Sequence, residues 1–234
     1  MRSQTRWLPI VCLLACGLNL RAASTTLWQI GAFDKSSREF AQGVSPTRDG
    51  ALDYSNPADD PVYVIGKSQP GKNWLAFQPG SSNGKAGHRA HPFTIKFPLA
   101  SPPRGVYTFT AALLAYSPRV PLLDISINGR HGWFYQHPTL NYDAGDLGSV
   151  FAPRYSTATI TFDFPAIYLK PSENEIVLTA TDQPDAPDNS EGAVMVLGNS
   201  GIHYDALKLE QDPTGRFQPA EIRDRKSTRL NSSH

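Results

Sequence analysis

The residues best equipped for chemistry fall in one stretch, residues 122–148, which reads LLDISINGRHGWFYQHPTLNYDAGDLG. Arg130, His131, Trp133, Phe134, Tyr135, His137, Asn141 and Tyr142 follow one another there with few aliphatic side chains among them. Recognition of a pyranose ring needs flat apolar surfaces for its C–H face and planar hydrogen-bonding groups for its hydroxyls. Arg and Lys join that set when the ring carries a carboxylate. Trp133, Tyr135 and Tyr142 are the candidate stacking groups, and Arg130, His131, His137 and Asn141 the polar ones. Trp74, Lys72 and Arg154 are candidate neighbours. The alternative is that Trp133, Phe134 and Tyr135 only cap one end of the fold, the commoner use of aromatics.

Catalytic patterns are thin. His88 and His91 stand three apart, but Pro92 and the Gly-rich surroundings offer no helix to aim both rings, and zinc needs three or four ligands. Asp143 and Asp146 could pair for glycoside hydrolysis, yet the DAGDLG context is that of ordinary turn formers. No Gly-x-Ser-x-Gly elbow, phosphate loop or nucleotide fingerprint occurs.

The elements that must hold these groups are short strands. Residues 122–127 alternate apolar and polar side chains, the period of a half-buried strand, and Asn128-Gly129 follows as a turn pair that tolerates positive φ at both centres. After it, residues 130–142 read as an aromatic connecting loop. Further strands are expected at 26–30, 62–65, 93–97, 106–114, 157–164, 175–181, 193–197 and 204–210, with 106–114 pairing with 122–127 across Ser117-Pro118. No window carries the 3.6-residue period of a substantial helix, and no internal repeat appears. With 20 Pro and 18 Gly in 234 residues, the composition fits many strands joined by turns. The expected fold is an all-β jelly-roll sandwich, galactose-binding-like, with first and last strands side by side. A net charge of +1 argues against nucleic acid or an anionic membrane as the main partner.

The termini read differently. Residues 1–23 combine Arg2 and Arg6 with an apolar run too short to span a bilayer and a small-residue cleavage site, as an export signal does. Leu13-Leu14-Ala15-Cys16 also resembles a lipobox, which would anchor the chain through a lipidated Cys16. The expected location is therefore secreted or periplasmic. Cys12 and Cys16 both lie in this segment, so the exported domain holds no disulfide. Residues 24–212 are the domain, 213–224 a linker to a missing C-terminal part, and 225–234 resemble a translated adaptor tail.

In order and spacing, short motifs across residues 26–210 resemble the third, carbohydrate-binding-module-like domain of the rhamnogalacturonan lyases, polysaccharide lyase family 4. These motifs are LWQIG with Phe33-Asp34 and Glu39-Phe40, YVIG with Asn73-Trp74, FTIKF, ISING, the LK…ENEI run at 169–176, and YDALKLE. The resemblance implies a jelly roll directed at a plant cell-wall or pectin-like polysaccharide, non-catalytic itself, serving a catalytic domain of the same polypeptide. It also implies one possible cofactor, a structural calcium near the first and last strands held by Asp34, Glu39 and Asp205, against no cofactor at all. The competing function is a structural domain that docks on the catalytic domain and binds no sugar.

Overall fold

The computed structural model describes residues 24–41, 56–81, 86–116, 122–135, 156–181 and 201–219. The export segment, the strand expected at 193–197, His137, Asn141, Tyr142, Asp143, Asp146, Arg154 and the 225–234 tail lie outside those residues.

Among the described residues ten strands form: β1 (Thr25–Gly31), β2 (Val62–Val64), β3 (Phe77–Pro79), β4 (Pro92–Pro98), β5 (Val106–Tyr116), β6 (Leu122–Ile127), β7 (Arg130–Tyr135), β8 (Ser156–Pro165), β9 (Glu173–Thr181) and β10 (Gly201–Asp212). Among the described residues the one α-helix is a single turn, Pro70–Asn73. Strand β4 shows the alternation as burial: Phe93, Ile95 and Phe97 are inside, while Pro92 and Pro98 are exposed. Strand β10 is buried almost continuously because β1, β3 and β5 all pair with it.

The pairings nest. Strands β6 and β7 make a hairpin, β5 pairs with β8, β4 with β9 and β3 with β10, each antiparallel. One long hairpin has been rolled on itself, which is the jelly roll. Rolling sorts the strands into a sheet of order β1-β10-β5-β8, with β3 on β10, and a second of order β2-β4-β9-β6-β7. The first and last strands lie side by side as expected, since β1 pairs with β10.

Two expectations fail on pairing. Strand β5 does not pair with β6; both of its edges are taken, by β10 and β8, so β6 lies in the other sheet. The aromatic stretch does not begin as a loop either: its first six residues are β7, the edge strand of the second sheet. Asn128 (φ 48°) and Gly129 (φ 81°) form the two-residue turn between them, the primed geometry whose twist matches the flanking strands.

The interior is aromatic. Trp28 of β1 packs on Phe97 of the opposite sheet at 5.6 Å. Trp74 fills the space between Phe93 and Tyr204 at 5.3 and 5.4 Å, edge to face with both. Gln78 of β3 ties the sheets with polar bonds. Its amide donates to the carbonyls of His91 and Leu178, and its oxygen accepts the Tyr204 hydroxyl. Each of those groups is buried, so each needs such a partner.

Candidate functional site

Once residues 130–135 are a strand, period 2 divides the aromatic stretch between two faces. Arg130, Gly132 and Phe134 share the inward side with Leu123, Ile125 and Ile127. Phe134 stacks on Phe162 of β8 at 4.7 Å and closes the sandwich edge. The Arg130 guanidinium lies 4.7 Å over the Tyr168 ring, a cation–π contact on that same side. His131, Trp133 and Tyr135 point outward. Trp133 is 72% and Tyr135 57% exposed, the two most exposed aromatic rings among the described residues.

The hairpin register decides what flanks them. Trp133 stands opposite Asp124, with Thr179 of β9 next in the row; Tyr135 stands opposite Leu122, then Thr181; His131 stands opposite Ser126, then Val177. Both Asp124 carboxylate oxygens approach His131 Nδ1, at 3.0 and 2.9 Å. The Thr181 hydroxyl donates to the Leu122 carbonyl at 2.7 Å, which stiffens the row beneath Tyr135. Trp133 and Tyr135 are two residues apart on one strand, roughly 7 Å. The result, among the described residues, is an aromatic platform on the edge strand of the sheet, with a carboxylate–imidazole pair beside it.

Of the sequence candidates, the fold brings His131, Trp133 and Tyr135 together and removes two others. Trp74 has no exposed surface, because its ring is a core component. Arg130 is exposed but directed to Tyr168, on the other side of the strand from Trp133. Asp124 was not foreseen. Its signal was available, because a two-residue turn at 128–129 pairs 127 with 130 and so, counting outward, 124 with 133.

The remaining candidates have structural occupations. His88 is exposed and His91 fully buried, so the two rings share no site. His91 lies 3.2 Å from Asp60 and 3.0 Å from the Ala86 carbonyl, while Arg89 clasps Asp60 through both terminal nitrogens at 2.6 and 2.8 Å. Burial lowers His91 from its ordinary value, the Arg89 charge adding to this and Asp60 opposing it. Asp205 accepts the backbone amides of Ser36, Lys35 and Asp34; burial nonetheless raises its carboxyl. Glu39 accepts the Ala32 amide at 2.7 Å, and Asp34 accepts the Ser36 amide at 3.0 Å. In this structure Asp34, Glu39 and Asp205 thus accept backbone N–H groups, and among the described residues no group of three or more His, Cys, Asp or Glu side chains that could hold a metal occurs.

The fold is a two-sheet jelly-roll β-sandwich with two exposed aromatic side chains on an outer face. The family model "CBM-like: Polysaccharide lyase family 4, domain III" matches residues 26–209, and the chain belongs to that family. "Probable rhamnogalacturonate lyase B" of Aspergillus niger is 33% identical over 34% of this chain and 14% of its own length. "Rhamnogalacturonate lyase B" of Emericella nidulans is 26% identical over 81% of this chain and 33% of its own. The chain thus spans a third or less of the curated relatives it matches. A family 35 carbohydrate-binding module from an environmental isolate is 11% identical, over 85% of this chain and 96% of that one, with a TM-score of 0.31.

Proposed function

We propose that this domain is a non-catalytic carbohydrate-binding module of a secreted polysaccharide-degrading enzyme, and that it grips its glycan on the Trp133–Tyr135 face. The observation that carries the reading is the pair of large rings exposed on β7, two residues apart, while Phe134 between them packs inward on Phe162. Exposed aromatics on a rigid strand lose little conformational freedom on binding, unlike the same rings on a loop. Membership of the lyase family and the plant-polysaccharide names of the relatives support the substrate class. Tethered to a catalytic domain, such a module raises the local concentration of substrate.

The test is retention of the full chain on insoluble plant cell-wall polysaccharide, against Trp133→Ala and Tyr135→Ala. Loss of retention in both variants, with unchanged far-UV circular dichroism, is the expected result. Equal retention by wild type and Trp133→Ala would remove the platform from the function, and no retention by any of the three would favour a domain that only docks on its catalytic partner.

A further inference from the structure

Granting that sugar stacks on the Trp133–Tyr135 face, we infer that this face selects uncharged glycan segments and that Asp124 sets the selection, although the relatives are named for an acidic polymer. A uronate carboxylate offers acceptors only, so a site for it needs cationic donors, of which a forked guanidinium is the strongest. Among the described residues neither Arg130 nor Lys96, the Arg and Lys on the neighbouring strands, is aimed there. Arg130 leaves the face altogether and lies over Tyr168. Lys96 belongs to β4, separated from β7 by β9 and β6, about 14 Å across the sheet, and is matched with Glu175 in register.

What does face the platform is a carboxylate. Asp124 stands in the row of Trp133, and its side chain keeps 20% of its surface open. Two ionised oxygens accept hydroxyl protons well, and they repel a second carboxylate at the same range. His131 holds Asp124 in place through Nδ1, and its ring, 53% exposed, keeps its Nε2 edge for a further hydroxyl. Thr179 extends the Asp124–Trp133 row with a neutral hydroxyl-bearing side chain. Stacking, hydroxyl capture and repulsion of carboxylates together favour a neutral sugar, such as those of a neutral side chain or a separate neutral wall polymer. Among the described residues β7 is the edge strand of its sheet, with β6 as its one neighbour.

Affinity gel electrophoresis of the full chain tests this, with galactan, arabinan and glucomannan as neutral probes and polygalacturonate and rhamnogalacturonan backbone as acidic ones. The expected result is retardation by at least one neutral probe and none by the acidic ones. That retardation should be insensitive to salt and fall by about tenfold or more in Trp133→Ala. Asp124→Asn should weaken neutral binding and narrow the neutral-over-acidic preference. Retardation by an acidic probe equal to or stronger than any neutral one, and lost in Trp133→Ala, overturns the selectivity while leaving the platform standing. Absence of retardation by every probe, or retardation unchanged in Trp133→Ala, overturns the platform reading and the selectivity with it.

Discussion

Trp133 and Phe134 are neighbours in sequence and point to opposite faces of β7: Trp133 is 72% exposed, while Phe134 stacks on Phe162 at 4.7 Å. One strand thus divides an aromatic run between a binding surface and the seam of the sandwich.

The division predicts a dissociation of effects. Trp133→Ala should leave the unfolding free energy from urea titration within about 0.5 kcal/mol of wild type while reducing polysaccharide retention. Phe134→Ala should cost about 2 kcal/mol, because it opens the contact to β8. Equal destabilisation by both would mean that the Trp133 ring is packed after all.

Gln78 makes three buried side-chain hydrogen bonds in the core. Its replacement by Met keeps the volume but takes the acceptor from the Tyr204 hydroxyl and one donor from each of the carbonyls of His91 and Leu178. A loss of about 3 kcal/mol or more is expected, since each buried unpaired group costs about 1–3 kcal/mol. Tyr204→Phe, which removes one bond of the set, should cost clearly less. Denaturant titration of both variants decides the order.

Acid should weaken the fold in a defined window. Burial pushes the His203 imidazole from 6.5 down to about 4, and neither ring nitrogen has a hydrogen-bond partner among the described residues. A histidine held neutral in the fold contributes its full share of stability above the unfolded value. That share is lost as pH falls from 6.5 toward about 4. Complete loss is worth about 3 kcal/mol, and His91, also lowered by burial, acts with the same sign. His203→Leu should flatten much of this acid limb in urea titrations between those pH values. A limb of unchanged slope would assign it to another group.

Asn128 does more than turn the chain. Its side-chain amide donates to the Tyr168 carbonyl at 2.8 Å and to Asn174 Oδ1 at 2.9 Å, and its oxygen accepts the Glu175 amide at 3.0 Å. Asn128→Gly keeps the positive φ yet should lose about 1–2 kcal/mol through those bonds. Asn128→Ala adds strain at φ 48° and should lose more. Thermal denaturation of the two variants separates turn geometry from the bonds it carries.

The sequence alone determined most of the described strands though not β3 or β7, the jelly-roll class, the Asn-Gly turn and the pairing of first with last strand. These follow from local signals: alternation of side chains, turn residues, and motifs kept at family spacing. It also picked out the aromatic stretch, but not how that stretch is used. Whether Trp74 is a core residue or a surface ring depends on Phe93 and Tyr204, which come from opposite sheets. Arg130 turns from the platform because Tyr168, thirty-eight positions away in the chain, offers it a ring face. Asp124 joins Trp133 only through the register of the hairpin, and β5 leaves β6 only because β8 and β10 occupy both its edges. Composition at a position states what a side chain can do. Which neighbour it meets is decided by the rolling of a long hairpin, where the contacts that matter are remote in sequence.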